Sequence, residues 1–356
     1  MADALQIFAG REAARQLARD GWHADRFRVL LGASGGPKCF ALAGLDSYLF
    51  GDFLARGTRP LATLGSSVGA WRHACLAQAD PAAAVARFTA AYSTRTYSAR
   101  PDAAEITGAS REILQTLLGE DGAQALAGHP RIRQHIVTAR GRGPCAGRHP
   151  IALPLGLAAA AAGNALHRGL LQSSFQRVLF ASHDDMQDEL PLAGFDTQQT
   201  VLSAENALEV LLATASIPLL LEGVENIPGA PPGQYWDGGI IDYHFDLAAA
   251  RGEGLILFPH FGSRIVPGWF DKRLRRRHTA PEAVDRLVLL CPHPDFVARL
   301  PGGKIPDRDD FRRLPTAKRE RRWQHCLAES EALGASLAAR VEGRGDPLAG
   351  VITPPD

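Results

Sequence analysis

Near the start of the chain the same pattern occurs twice: a short apolar run, a glycine-rich turn, then residues at helical spacing. Residues 27–31 (Phe-Arg-Val-Leu-Leu) run into Gly32, the turn spans 32–38, and helical spacing resumes over 40–54. Residues 60–64 then end at Gly65, and 68–78 return to helical spacing. Short apolar runs bounded by glycine are the mark of buried strands, and their alternation with helices favours an α/β fold around a mainly parallel sheet. A three-layer α/β/α arrangement is expected.

The remaining elements fit that plan. Strands are expected over 132–139, 177–182, 254–259 and 286–290, and helices over 5–20, 81–95, 110–118, 203–214 and 316–341. Ser203 is placed to cap its helix, with Asn206 in the first turn. Residues 141–150, rich in Gly, Pro, Arg and His, are expected to form an exposed loop. No internal repeat or linker divides the chain, so a single domain over 1–356 is expected, with a charged helical extension near 307–342.

Composition narrows the function. Thirty-nine basic and 38 acidic residues leave a net charge of +1, without the basic excess of a nucleic-acid binder. The five cysteines (Cys39, Cys75, Cys145, Cys291 and Cys326) are odd in number and widely spaced, with no CxxC pair. That pattern argues against a disulfide framework or a zinc site. Arg11, Glu12, Arg15 and Arg19 interrupt the N-terminal stretch where a signal peptide needs an apolar run, and no segment has the ~18 apolar residues of a membrane span. A cytoplasmic protein is expected.

Three segments carry chemistry. The first is Gly65-Ser66-Ser67-Val68-Gly69. A serine nucleophile on a sharp strand-to-helix turn needs small residues on both flanks, which Gly65 and Gly69 provide. Ser66 is then the variable position of the motif. The second is Gly32-Ala33-Ser34-Gly35-Gly36-Pro37-Lys38. Amides at such a turn can hold a phosphate or an oxyanion. Pro37 stands where a nucleotide P-loop needs its last glycine and Cys39 where it needs Ser or Thr, so the oxyanion reading, through Gly35 and Gly36, fits better. Lys38 either adds positive charge there or pairs with a carboxylate. The third is Trp236-Asp237-Gly238-Gly239, a turn that can aim the Asp237 carboxylate, preceded by the small-residue segment Ala213-Thr214-Ala215-Ser216-Ile217-Pro218.

In this order the three segments resemble the patatin-like phospholipase family, whose pattern is a GGGx[KR]G oxyanion loop, then GxSxG, then a small-residue helix stopped by proline, then DG[GA]. The resemblance spans roughly residues 26 to 245, with Ser34 and Cys39 in place of the first and last loop glycines. It implies a patatin-like fold and a lipid acyl hydrolase with no cofactor. It implies a Ser67–Asp237 dyad in which Asp237 takes the serine proton directly, with Gly35 and Gly36 as oxyanion hole and Gly238 and Gly239 shaping the base turn. The substrate would be a lipid or another ester.

Other readings of the residues stay open. A Ser–Asp–His order could use His260 or His293 as the base, and His183 and His244 also lie near expected strand ends or turns. A catalytically silent lipid-binding relative would keep the same motifs. Asp242, His244 and Asp246 could approach a metal from one face of an extended segment, although a hydrogen-bonded turn accounts for them and no metal is expected. Two basic clusters, 272–278 and 312–322, with Trp269 and Phe270 beside the first, suggest contact with an anionic membrane surface. A solvated face balanced by Asp307, Asp309, Asp310 and Glu320 accounts for them as well.

Overall fold

The computed structural model describes residues 4–183, 190–192, 194–247, 254–343 and 345–354. It is an α/β protein built on a large mixed, mainly parallel sheet flanked by helices. The strands are β1 (Leu5–Ala9), β2 (Phe27–Gly32), β3 (Leu61–Gly65), β4 (Ile132–Gly141), β5 (Phe175–Ala181), β6 (Thr197–Val201), β7 (Val224–Glu225), β8 (Gln234–Asp237), β9 (Leu255–Pro259), β10 (Leu287–Pro292) and β11 (Val351–Ile352). The order is β11-β1-β10-β9-β2-β3-β4-β5-β6, with β8 on β4 and β7 on β8. The centre, β10-β9-β2-β3-β4, is parallel throughout. β1 is antiparallel to β10 and β5 is antiparallel to β4.

β9 and β10 are apolar along their whole length and β2 and β3 nearly so, because both faces are covered, whereas β4 buries Gln134, His135 and Thr138. Leu30 and Leu257 point into one core, while Val29, Leu31, Ile256 and Phe258 point into the other. The first core is packed by helices, among them Val68–Leu76, Pro81–Ser93, Ala207–Thr214 and the long Thr316–Glu342. The second is closed largely by chain outside regular helices: Phe245, Leu247, Ile265 and Val284. The helix Ala152–Leu166 covers a third cluster around Phe175 and Trp236.

The ten-residue strand β4 positions two of the three candidate segments. Its first half pairs with β3 in parallel, ending at Gly65↔Ile136. Its second half, along the same edge, pairs with β8 in antiparallel, ending at Asp237↔Thr138. The C-terminal ends of β3 and β8 therefore point at each other, two positions apart on β4, or about 7 Å.

Several expectations need correction. Residues 5–20 are not one helix: β1 comes first, then Arg11–Asp20. The break is Gly10, where a Cβ would lie 2.0 Å from the Val284 carbonyl oxygen. The helical spacing over 40–54 becomes a 3-10 turn (Gly36–Leu42), a short α-helix (Ala43–Tyr48), a π-turn (Leu49–Phe53) and a further 3-10 turn. Here Gly44 packs against the backbone of Glu331, and its amide donates to Ser330 Oγ at 2.9 Å. The helix expected from Ser203 begins at Ala207, and Ser203 and Asn206 bond each other's backbone amides instead. The expected loop 141–150 contains a 3-10 turn that buries Cys145. The helix Ala103–Leu118 begins earlier than expected because Asp102 caps it.

Candidate active site

Ser67 sits between β3 and the helix Val68–Leu76 with φ 53° and ψ −134°, in the left-handed half of the map that an L-residue occupies only under constraint. The neighbouring glycines supply the constraint. A Cβ on Gly69 would lie 1.9 Å from the Gly32 carbonyl oxygen, and one on Gly65 would lie 2.7 Å from the Ala70 Cα. Only glycine lets the two turns that follow β2 and β3 pack this closely. The Ser67 amide donates to Thr214 Oγ1 at 2.9 Å, and Thr214 in turn donates to the Val137 carbonyl at 2.5 Å. The Ser67 turn is thereby tied to β4 through the end of the helix Ala207–Thr214.

Ser67 Oγ donates to Asp237 Oδ2 at 3.0 Å. The other oxygen of that carboxylate, Oδ1, accepts from the Gly239 amide at 2.7 Å, which fixes the ring of atoms around the turn. Gly238 is required here by packing, since a Cβ would fall 2.1 Å from the Val137 carbonyl oxygen. Asp237 is 5% exposed, and burial raises its pKa above the ordinary carboxylate range, opposed chiefly by the positive charge of Arg308. A carboxylate so placed is a stronger base than one in water. Ser67 is also the N-cap of its helix, where the helix dipole favours negative charge developing on Oγ.

The glycine-rich loop lies beside this pair. Ser34 Oγ and Ser66 Oγ are 2.8 Å apart, and Ser66 Oγ donates to the Asp242 carbonyl at 2.6 Å. Ser66 spends its proton there, so Ser34 is the donor in the serine pair. Ser66 is thus a structural tie between the two turns. Gly36 has φ +57°, and among the described residues no acceptor takes the amides of Gly35 or Gly36. Lys38 stacks its ammonium 4.5 Å from the centre of the Phe261 ring, and burial lowers its pKa. Phe261 also lies where a Gly35 Cβ would be, at 2.6 Å. Lys38 therefore buttresses the loop from behind.

The candidate histidine bases lie elsewhere. His260 Nε2 is 3.1 Å from His244 Nδ1 in a buried pair, and burial lowers the pKa of His260 to about 3. His293 Nδ1 accepts from the Asp295 amide at the start of a short helix. His183 contacts Ser182 and Arg133. The Asp242, His244 and Asp246 group does not converge either. Asp242 forms a two-pronged pair with buried Arg177, at 2.7 and 2.8 Å, while His244 stacks on Tyr243. Among the described residues, no group of three His, Cys, Asp or Glu side chains is set to hold a metal ion.

Most cations of the two basic clusters are exposed, while a few turn to internal partners. Arg277 pairs with fully buried Asp271 at 2.7 Å, as does Arg168 at 3.2 Å, and Arg276 donates to the Ala165 carbonyl. Arg319 is buried against Phe311 and Trp323. Arg312 and Arg313 both pair with Asp309.

A cleft with an empty volume of about 530 Å³, its open mouth included, ends on Asp237, Ser34 and Gly239. Its walls are apolar, from Leu157, Ile217, Pro218, Leu219, Ile240 and Phe270. Leu219 at 61% exposure and Trp269 at 42% stand at the rim. Arg308 also lines it. Sequence reading missed Arg308 because it is one arginine in a charged segment with no motif around it. It also missed the role of Thr214, whose only signal was its place in the small-residue helix end. No family model matches the chain, and no curated protein matches it.

Proposed function

We propose that this protein is a serine ester hydrolase of the patatin-like kind, acting on carboxylic esters of lipids through a Ser67–Asp237 dyad. The observation that carries the reading is the direct 3.0 Å bond between Ser67 Oγ, on a strained strand-to-helix turn, and a buried carboxylate. Ser67 Oγ attacks the ester carbonyl carbon while its proton passes to Asp237 Oδ2. The amides of Gly35 and Gly36 receive the oxyanion of the tetrahedral intermediate. As the intermediate collapses, the C–O bond to the alcohol breaks, and Asp237 returns the proton to the departing oxygen. Water then attacks the acyl-enzyme, gives its proton to Asp237, and releases the acid as Ser67 recovers its own proton.

The apolar walls of the cleft suit an acyl chain, which favours lipid esters over small polar ones. Exposed Leu219 and Trp269 at the rim suit brief contact with a lipid surface. Among the described residues no helix is long and apolar enough to cross a membrane. All five cysteines are free and buried, which fits a reducing compartment. We place the protein in the cytoplasm, reaching membranes from their surface.

The test is a chain-length series of p-nitrophenyl esters and phosphatidylcholine vesicles, assayed with the wild type and Ser67→Ala. Hydrolysis that disappears in Ser67→Ala supports the reading. A folded wild type that cleaves none of these esters contradicts it and leaves a silent lipid-binding protein.

A further inference from the structure

The cleft has one acidic lining residue, Asp237, and one basic one, Arg308. Arg308 comes from the segment before the long C-terminal helix and reaches over the glycine-rich loop. Its Nε lies 3.0 Å from where a Cβ on Gly36 would be. The acids next to it in sequence are all engaged elsewhere. Asp307 binds Lys304 at 2.7 Å, Asp309 binds Arg312 at 2.7 Å, and Asp310 binds Lys304 at 2.7 Å and the Trp323 indole at 3.0 Å. Among the described residues, no carboxylate lies within salt-bridge reach of the Arg308 guanidinium.

A second cation stands on two rings of the cleft wall. Lys272 Nζ lies 4.1 Å from the centre of the Tyr243 ring and 5.3 Å from that of Trp269, both lining the cleft. It too has no carboxylate within salt-bridge reach among the described residues. Lys272 remains open to solvent as a residue, yet lost hydration at its ammonium, with repulsion from Lys38 and Arg308, lowers its pKa to about 7. Arg308 and Lys272 are the cations whose fields favour the ionised form of Asp237.

Two cations without acid partners beside an apolar cleft repel one another, and the Lys272 ammonium also loses part of its hydration there. An anion placed between them would relieve both costs. A guanidinium is suited to a two-pronged grip on a carboxylate or phosphate. Asp237 does not fill this role: it lines the cleft, yet neither the Arg308 guanidinium nor the Lys272 ammonium lies within salt-bridge reach of its oxygens.

We propose that Arg308 and Lys272 form an anion subsite at the mouth of the cleft, which binds a carboxylate or phosphate carried by the ester substrate. The enzyme would then prefer esters with an acidic group over neutral esters of equal length. This rests on the hydrolase reading for the word substrate, but the anion subsite can be measured without turnover.

The experiment has a binding arm and a kinetic arm. In the first, glutarate and glycerol phosphate are titrated calorimetrically into Ser67→Ala protein, and then into the same protein carrying Arg308→Gln or Lys272→Gln. Melting curves of each variant establish that it is folded, and Arg308→Lys serves as the milder change if Arg308→Gln is not. At least one anion should bind. Arg308→Gln should weaken it roughly tenfold or more, the size expected for lost hydrogen bonds to a charged group, and Lys272→Gln should weaken it less. The anion that binds tells carboxylate from phosphate. Binding of neither anion, or equal binding in Arg308→Gln, overturns the proposal.

In the kinetic arm, the p-nitrophenyl monoester of glutaric acid is compared with p-nitrophenyl butyrate at a pH where Asp237 is ionised. The wild type should favour the acidic ester in kcat/KM, and Arg308→Gln should abolish that preference. An equal loss on both esters would mean that Arg308 acts on Asp237 or the oxyanion alone, and would overturn the subsite. Anion binding that depends on Arg308, in a wild type that hydrolyses neither ester, would uphold the subsite and contradict the hydrolase.

Discussion

At the floor of the cleft the atoms of the proposed dyad are fixed by backbone. Ser67 follows β3 and Asp237 ends β8, two strands that meet on β4, and Gly69 and Gly238 let carbonyls approach to distances no Cβ would survive. At the mouth, Leu219, Trp269, Lys272 and Arg308 are side chains carried by segments outside the sheet, each open to solvent to some degree. The floor has one arrangement available to it, because moving either strand end breaks the pairing with β4. The mouth can change its side chains without disturbing the sheet. On the proposed function, chemistry and selectivity thus belong to parts of the molecule with different tolerance for change.

The largest effect should come from the floor. Asp237→Asn keeps the size of the side chain but removes the base. Ester hydrolysis should fall by about 10³-fold or more, equivalent to about 4 kcal/mol in the barrier, with little change in melting temperature. The pH profile sharpens this point. Asp237 must be ionised to accept the proton, and burial raises its pKa. Activity should therefore fall with decreasing pH through a limb above the ordinary carboxylate range. Arg308→Gln should move that limb higher still, because Arg308 favours the ionised form. A limb unmoved in the Arg308 variant would break the link between mouth and floor.

Gly69→Ala should come next. Its methyl would meet the Gly32 carbonyl oxygen at 1.9 Å, so the turns after β2 and β3 must separate. A loss of about 3 kcal/mol or more in chemical denaturation is expected, or failure to fold. Thr214→Val should be milder. It removes the acceptor of the Ser67 amide and the donor to Val137, for about 1–3 kcal/mol of stability. Turnover should fall as well, because the nucleophile turn loses its tether.

The smallest effect on the fold should come from the mouth. Leu219→Ser and Trp269→Ala, being at exposed positions, should each change stability by less than about 0.5–1 kcal/mol. Hydrolysis of vesicle lipid should nevertheless drop more than hydrolysis of a soluble ester. Equal losses on both substrates would contradict a surface-docking role for these residues.

The same contrast explains what the sequence made legible. The elbow was readable because glycine at 65 and 69 is demanded by close backbone packing, and that demand leaves a fixed spacing in the chain. The Asp237 turn was readable for the same reason at Gly238. The strand that carries Asp237 was not, since Gln-Tyr-Trp-Asp is too short for a period to show. Its strand character comes from pairing with β4 and from complete burial. β1 was hidden because residues 5–20 suit a helix locally, and pairing with β10 and β11 decides otherwise. Arg308 and Lys272 left no signal, because a cation at a cleft mouth needs no particular neighbour in sequence. The basic clusters suggested a surface, yet Arg277 turns inward to buried Asp271 and Arg319 packs on Phe311.

The central claim is that Ser67 is a nucleophile activated by Asp237. Treating the folded protein with a fluorophosphonate and mapping the adduct by peptide mass spectrometry tests it most directly. A single adduct on Ser67, absent in Ser67→Ala and formed far more slowly in Asp237→Asn, is the expected result. An adduct on another residue, or labelling of Ser67 at the wild-type rate in Asp237→Asn, would contradict it.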